Sequence, residues 1–254
     1  MIIRSTFSRS PALRQLGVRF AGFKAAMKAG LAGLGAASAV ALAAAVTPAV
    51  AGQVTPLDIG VRDTTALLFS GAVQAGDLAR LQAETAKVPA GQRIVLMLES
   101  GGGLISEGLA IGRFVASSKI TTTVVAGPGC HSACTLIFLA GRDASAKPMR
   151  IMMAGARIGF HQASSGQLRP DQTVTAAEAA AAQTGVQNAI AAIDAYFREL
   201  GIQSEFLTLT LSAPNSTVNL LRELDALRLG IFVMDPSTQK LLTPDGFKQQ
   251  LTSR

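Results

Sequence analysis

The chain of 254 residues has few of the side chains on which several common functions depend. It has no tryptophan and one tyrosine, so the aromatic platforms that stack nucleobases are scarce. It has two histidines and two cysteines, which leaves few choices for a catalytic base or a thiol. After residue 51 there is no internal repeat, coiled-coil heptad or low-complexity linker. The whole chain is 49% hydrophobic and 15% charged, and its length gives room for one sizeable domain or two small ones.

Acidic residues are missing from the first 57 positions, which carry basic residues instead. These are Arg4, Arg9, Arg14, Arg19, Lys24 and Lys28. Without these six cations the formal net charge of +7 falls to +1, so the basic character belongs to the N-terminal segment. The remainder lacks the basic surface that a nucleic-acid partner requires, and we expect no such partner.

The basic segment has the order of an export signal. It is followed by an apolar stretch over residues 29–46, by Pro48, and by an A-V-A cleavage pattern over residues 49–51. Cleavage there would make Gly52 the first mature residue. The apolar stretch is also long enough for a thin membrane span, so an uncleaved anchor is the alternative.

We therefore predict two parts of the chain. Residues 1–51 form an export signal or N-terminal membrane anchor, and residues 52–254 form the folded domain. This domain is predicted to be exported, either periplasmic or anchored so that it faces outside the cytoplasm. Contact with the membrane is expected only through the N-terminal segment, and only if that segment stays uncleaved.

Apolar strands and amphipathic helices alternate from residue 64 onward. The predicted strands cover residues 64–69, 93–98, 120–125, 150–153, 157–160 and 231–234. The predicted helices cover residues 76–88, 104–115, a segment beginning at residue 132, and residues 173–200, 204–211 and 216–229. This alternation predicts an α/β domain with a largely parallel sheet.

The segment around Ser132 predicts a strand, a tight turn and a buried helix. Residues 127–141 read GPGCHSACTLIFLAG, with the serine at the turn among small residues. Backbone N–H groups at the start of a helix suit a reaction that develops negative charge. The simpler interpretation is a helix N-cap, a role that serine fills often. The neighbouring His131 is set aside as a base for Ser132, because adjacent residues of a helix do not share a face.

Two cysteines, Cys130 and Cys134, flank Ser132 and lie four residues apart. In an oxidising compartment a local disulfide between them would stiffen the turn. Two buried free thiols that pack beneath the serine are the alternative. Together with His131 the cysteines do not have the spacing of the usual zinc sites, and we predict no metal.

A glycine cluster and a second histidine complete the set of candidate residues. Residues 101–103, three glycines after a buried strand, could let the backbone approach an anionic ligand. Their spacing does not match the phosphate-binding or dinucleotide fingerprints, and we predict no cofactor. His161 ends a strand in the sequence G-F-H-Q. A hydrogen-bonded structural histidine is the simpler interpretation, and a general base for Ser132 is the functional one.

These motifs, taken in order, resemble those of the ClpP-type serine proteases. The motifs are SGGGL over residues 100–104, the serine turn over residues 129–141, and IGFHQ over residues 158–162. The chain is similar in particular to exported ClpP-like proteins that carry a Cys-x-Ser-Ala-Cys serine turn, and the resemblance covers about residues 66–234. It implies a ClpP/crotonase-like fold of stacked ββα units with a long C-terminal helical region.

The resemblance also implies roles for individual residues. Ser132 would be the nucleophile and His161 the general base. The backbone N–H groups of Gly103 and Ala133 would form the oxyanion hole. The chain departs from the family at Gly101, where the family usually has proline.

The third catalytic residue is where the chain departs most from the family. The acid of the family would fall near Val218, in a segment without a carboxylate. Asn215 and Asn219 could take the orienting role that asparagine has in Cys-His-Asn enzymes. Asp194 or Asp225 could reach the histidine from another helix.

The sequence therefore favours an exported serine peptidase of the ClpP type, with a peptide as its substrate. A catalytically weak relative that binds peptides or partners is the second hypothesis. An enzyme of the crotonase type acting on an acyl thioester is the third, and the export signal argues against it because CoA chemistry is cytoplasmic. Family members pack into rings or trimers, so we also predict a homo-oligomer that packs through the Ala-rich helix over residues 173–200.

Overall fold

The computed structural model describes residues 52–164, 173–214 and 216–252. The strands in these ranges are β1 (Gln53–Leu57), β2 (Thr64–Ser70), β3 (Arg93–Glu99), β4 (Thr121–Val124), β5 (Cys130–His131), β6 (Arg150–Met153), β7 (Ile158–Phe160), β8 (Asn219–Leu220), β9 (Phe232–Asp235) and β10 (Lys240–Leu242). The helices are α1 (Asp77–Thr85), α2 (Ile105–Ser117), α3 (Ala133–Leu139), α4 (Ala176–Leu200), α5 (Glu205–Ser212), α6 (Glu223–Arg228) and α7 (Pro244–Thr252). The predicted N-terminal segment, residues 1–51, lies outside the described residues.

The larger sheet has seven strands in the order β1-β2-β3-β4-β6-β9-β10. The strands from β2 to β9 are parallel, and β1 and β10 are antiparallel edges. Parallel strands are covered on both faces and read as continuous apolar runs, as β3 does in its sequence RIVLMLE. The predicted α/β class with a largely parallel sheet is confirmed.

A smaller sheet of three short strands carries the candidate catalytic residues. Strand β5 runs parallel to β7, with His131 opposite Gly159, and β8 is antiparallel to β7. Ser132 follows the last residue of β5, and His161 follows the last residue of β7. Because the two strands are parallel and in register, the serine and the histidine leave the sheet at the same end.

Helix α3 forms the centre of the core, since all seven of its residues are buried. The Tyr196 hydroxyl of α4 donates a hydrogen bond to the Leu136 carbonyl of α3 at 2.9 Å, and Tyr196 is fully buried. Arg142, also buried, donates to the carbonyls of Ala140 and Leu200, at the C-terminal ends of α3 and α4. These contacts fix the helix that follows Ser132 within the core.

The predicted helix over residues 216–229 is wrong in its first part. Residues Asn219–Leu220 form β8, and only Glu223–Arg228 is helical. The buried strand β7 has backbone N–H and C=O groups along one edge that need hydrogen-bond partners. Strand β8 supplies them through the Gly159↔Leu220 and Phe160↔Asn219 pairs. Tertiary pairing thus overrides the local pattern. Strands β1, β5 and β10 and helix α7 were not predicted.

Within the ranges that the structure describes, no helix is long and apolar enough to cross a membrane.

Candidate active site

Ser132 lies at the start of α3 with an unusual backbone conformation, φ 54° and ψ −126°. Positive φ is uncommon for a residue with a side chain, and such strain persists only where surrounding contacts enforce it. The serine N–H donates to the Gly159 carbonyl at 3.0 Å, and the serine carbonyl accepts from the Thr135 N–H at 2.8 Å. Among the described residues the hydroxyl makes no capping hydrogen bond to α3. Ser132 therefore holds the N-cap position without using its side chain as a cap.

A glycine loop, residues 101–103, packs directly against the serine turn. Gly102 has φ 99°, and a Cβ atom there would lie 2.6 Å from the Ser132 Cβ. Gly103 has φ 150°, and a Cβ atom there would overlap the Val73 carbonyl. Val73 donates to the Gly102 carbonyl at 2.9 Å and accepts from the Leu104 N–H at 2.8 Å. Both glycines are required because no side chain fits between Val73 and the serine turn.

The N–H groups of Gly103 and Ala133 are available to a ligand. Gly103 is exposed, and Ala133 is the first residue of α3, whose N–H has no partner within the helix. In the described part of the chain neither N–H donates to another backbone group.

His161 is half-buried, and its Nδ1 atom lies 2.8 Å from the Gln162 carbonyl oxygen. A carbonyl oxygen only accepts hydrogen bonds, so this contact requires the proton on Nδ1. In the neutral ring the lone pair is then on Nε2. That tautomer is the one in which Nε2 can accept a proton from a nucleophile.

Ser132 and His161 line the same small pocket. Its other walls are mostly apolar and come from Ile105, Ala133, Thr135, Leu136, Phe160, Ala163, Ile193 and Thr210. The structure thus brings together a serine and a histidine that are 29 positions apart in the sequence. An apolar pocket with a few convergent polar groups is the usual form of a binding or active site.

Two of the residues proposed as a third catalytic member, Asn219 and Asp194, hold other partners. The Asn219 Nδ2 donates to the Ser212 Oγ at 3.0 Å, and the Asp194 carboxylate pairs with Arg198 at 2.7 Å. Asn215 lies outside the described residues. The partner recorded for the His161 Nδ1 is the Gln162 carbonyl.

Val218 immediately precedes β8, and His161 immediately follows β7. Phe160 pairs with Asn219 at the end of the antiparallel β7–β8 ladder, so Val218 and His161 are the next positions beyond the paired residues of the two strands. The Val218 side chain packs over Gly159 and is 42% exposed. The position at which the family resemblance places an acid is therefore at the same end of the ladder as the histidine, but it holds an apolar side chain.

The two cysteines form a disulfide in the structure, with their sulfur atoms 2.03 Å apart. Both residues are fully buried, and the bond joins β5 to the first turn of α3 across Ser132. The cysteines therefore supply neither a thiolate nucleophile nor thiolate metal ligands. In the described ranges no group of three or more His, Cys, Asp or Glu residues is arranged to hold a metal ion.

The side chain of His131 packs on β7, the strand that leads to His161. Its ring packs against Gly159, and its Nε2 atom is buried without a hydrogen-bond partner among the described residues. Burial lowers the pKa of His131, and electrostatic repulsion by Arg157, and by His161 when that ring is protonated, lowers it further. The ring is therefore neutral at neutral pH. Only the pairing of β5 with β7 reveals this contact, and β5 is too short to be predicted.

Comparison with known proteins finds a family similarity in the segment that holds this site. Residues 74–195, which include both Ser132 and His161, match the family described as Clp protease. Among solved structures, the chain is similar to a mutant of the 1510-N membrane-bound stomatin-specific protease, at 19% identity over 68% of this chain and 80% of that chain, with a TM-score of 0.49. It is also similar to a mutant of ClpP1 from Listeria monocytogenes, at 16% identity over 73% of this chain and 94% of that chain, with a TM-score of 0.47. No curated protein matches the chain. The family match supports the predicted resemblance: over residues 74–195 the chain is similar to the ClpP-like proteases, and its α/β fold is consistent with the predicted ClpP/crotonase-like fold.

Proposed function

We propose that the protein is an exported serine peptidase of the ClpP type, with Ser132 as nucleophile and His161 as general base. The family match supports a ClpP-type peptidase. The observation that carries the serine mechanism is the strained, uncapped Ser132 in a pocket shared with His161. A hydroxyl held at a strained turn and not used as a cap is free to attack a bound carbonyl.

The reaction begins with attack of the Ser132 Oγ on the carbonyl carbon of a peptide bond. The serine proton passes to the His161 Nε2, and the carbonyl oxygen becomes an oxyanion that accepts from the N–H groups of Gly103 and Ala133. As the C–N bond breaks, His161 gives the proton to the leaving amine. Water then attacks the acyl-enzyme with His161 again as base, which releases the acid and restores the serine.

The Gln162 carbonyl takes the orienting role in this proposal. By accepting from Nδ1 it holds the ring in the tautomer that the first step requires. A neutral carbonyl stabilises the imidazolium less than a carboxylate does. We therefore expect hydrolysis to be slower than in an enzyme with a complete triad.

The missing carboxylate favours a second candidate function. With a valine at position 218, at the same end of the β7–β8 ladder as His161, the pocket could bind peptides or partner proteins without cleaving them. In that case Ser132 would be a ligand contact and not a nucleophile. The two functions differ in the reactivity of the Ser132 hydroxyl.

A fluorophosphonate probe separates the two functions, because it forms a covalent bond only with an activated serine. We expect a single adduct on Ser132, no adduct in Ser132→Ala, and labelling of His161→Ala that is slower by about two to four orders of magnitude. Ser132→Ala should keep the wild-type melting temperature, since it removes one hydroxyl at a turn. A protein that is folded and not labelled at Ser132 would support the binding function instead.

We also propose a homo-oligomer, which is the general state in this family. The first turns of α4, AAEAAAA over residues 176–182, are exposed except for one half-buried position. Small side chains let helices approach closely, so a second copy of this chain is the proposed occupant of that face. Light scattering should give a mass above that of the monomer at micromolar concentration, and a monomer mass would contradict the proposal.

A further inference from the structure

Gly52, the residue that would follow the predicted cleavage site, is buried in a corner formed by β2 and α1. A Cβ atom on Gly52 would lie 2.5 Å from the Asp77 Oδ2 and 2.5 Å from the Phe69 Cζ. Both neighbours are fully buried. Only glycine fits this position, and it fits directly beside a buried carboxylate.

The Asp77 carboxylate has room for another donor on the oxygen that faces Gly52. Its Oδ2 accepts from the Gln74 N–H at 2.7 Å, while Oδ1 pairs with the Arg80 Nη2 at 2.8 Å. Arg80 also donates from Nε to the Gly52 carbonyl at 3.2 Å, so the same arginine holds both residues. The Arg80 side chain is 45% exposed, whereas the Asp77 side chain is fully buried. A carboxylate oxygen accepts two hydrogen bonds, which leaves a site on Oδ2.

The Gly52 nitrogen is close to this oxygen. Backbone geometry separates a nitrogen from the Cβ position of the same residue by about 2.5 Å, so the nitrogen lies within about 5 Å of the Asp77 Oδ2. In an uncleaved chain that nitrogen is a neutral amide. After cleavage at residue 51 it would be an ammonium group beside a buried anion, where an opposite charge has its greatest effect.

We propose that removal of the leader creates an α-ammonium group on Gly52 that docks on Asp77, and that this ion pair braces the glycine loop next to Ser132. The inference rests on the export included in the proposed function and on the cleavage after residue 51 that the sequence predicts. Because Gly52 is buried, cleavage has to precede the folding of this corner. The chemistry is recognition of the chain's own new N-terminus by a carboxylate.

A short series of contacts connects the docking site to Ser132. The Gln74 N–H is held by Asp77, and the preceding residue, Val73, pairs with both sides of Gly103. Gly102 packs against the Ser132 Cβ. Asp77 and Gly52 are therefore positioning residues, which act on the oxyanion-hole loop and do not touch the substrate.

A second contact ties the same helix to the site. The Leu78 N–H in α1 donates to the Glu107 Oε1 in α2 at 2.8 Å, and α2 begins two residues after Gly103. A shift of α1 would thus displace both ends of the glycine loop.

The test uses the full chain, expressed with its own leader in a bacterium that exports it. Wild type is compared with a variant that has an asparagine inserted between Ala51 and Gly52, which moves the new N-terminus and leaves every docking side chain in place. Asp77→Asn removes the carboxylate, and Asp58→Asn, on an exposed residue, is the matched control. Intact mass identifies the first residue of each mature chain.

The first measurement is the rate at which acetic anhydride acylates the α-amine of the folded protein, followed by peptide mass spectrometry. We expect the wild-type amine to react roughly tenfold more slowly than that of the insertion variant, because an ammonium paired with a buried carboxylate is protected. Asp77→Asn should lose the protection and Asp58→Asn should keep it. Equal rates in wild type and the insertion variant would overturn the docking, as would a mature chain that begins elsewhere.

The second measurement is the saturation of fluorophosphonate labelling. The insertion variant and Asp77→Asn should lose about tenfold in the maximal labelling rate and keep the half-saturating probe concentration, since a misplaced oxyanion donor affects the chemical step. The insertion variant keeps this result decisive if Asp77→Asn does not fold. A protected amine with unchanged labelling would overturn the bracing of the glycine loop. If wild type itself is not labelled, the catalytic proposal fails, and the acylation rates still decide the docking.

Discussion

The serine and the histidine of the site are held in different ways. The serine half, residues 130–139, contains a fully buried helix and a buried disulfide, and its N–H groups bond to two neighbouring strands. The histidine half, residues 158–162 with 219–220, consists of strands of three and two residues and an exposed Gln162. The comparison shows that a buried helix and a disulfide fix the nucleophile, whereas the base follows a buried strand of only three residues and is oriented by one neutral carbonyl. We therefore expect the histidine half to limit the rate.

Breaking the disulfide should have the largest effect on the comparison, because it loosens the better-held half. The Cys130→Ala, Cys134→Ala double variant should lose about 2 kcal/mol in the free energy of unfolding, as expected for a closed loop this short. The melting temperature should fall by roughly 4–8 °C. We expect fluorophosphonate labelling of Ser132 to slow by at least about tenfold, since the strained turn loses its tether.

The control for the two substitutions is wild-type protein treated with a reducing agent in mild denaturant, which gives the reagent access to the buried disulfide. The reduced protein should show the same loss of stability and the same slower labelling as the double variant. Labelling at the wild-type rate in the double variant would mean that hydrogen bonds alone hold the serine turn.

A carboxylate added to the histidine half should reduce the difference between the two halves. Val218→Asp would place an acid at the same end of the β7–β8 ladder as His161, and we expect labelling and hydrolysis to rise by about tenfold because the acid stabilises the imidazolium. Val218→Asn is the matched control, with the same shape and no charge, and should give little or no increase. Equal rates for the two variants would show that the orienting group does not limit the base.

The stability of the protein should depend on His131 in mildly acidic solution. Its pKa is lowered in the folded state, mainly by burial, from the ordinary value of 6.5. Below pH 6.5 the unfolded chain binds a proton at His131, whereas the folded protein binds it only at a lower pH. The stabilisation present above pH 6.5 is therefore lost as the pH falls toward the folded pKa. His131→Phe keeps a ring and removes the titration.

Urea unfolding at several pH values between 7.5 and 5 measures this effect, with the approximate range chosen to span the histidine titration. As the pH is lowered, the free energy of unfolding should decrease less steeply in His131→Phe than in wild type. Parallel slopes for the two proteins would exclude His131 as the source.

The smallest effect on labelling is expected for the side chains that the sequence suggests as a third catalytic member. Asp194→Asn and Asn219→Ala should each label within about twofold of wild type, because Asp194 pairs with Arg198 on an exposed helix face and such pairs contribute little. A tenfold loss in either variant would restore that residue as a partner of His161.

Much of the fold could be predicted from local patterns. The apolar run in β3 and the amphipathic spacing in α1 and α2 indicate their elements directly, because burial selects residues with the period of the strand or helix. The long helix α4 begins at a capping box formed by Thr175 and Glu178. Strand β8 could not be predicted in this way, since two residues carry no periodic signal.

For the candidate site, the sequence determined which residues have the required chemistry, and the tertiary structure decided which of them meet. Ser132, His161 and the glycines over residues 101–103 are recognisable because turns, strand ends and close backbone approaches each require particular residue types. The meeting of Ser132 and His161 in one pocket and the packing of Val218 over Gly159 depend on pairing between β5, β7 and β8. The approach of Gly52 to Asp77 likewise joins residues 25 positions apart. Local sequence carries conformational preference, whereas contacts between distant segments form only when the whole core has packed.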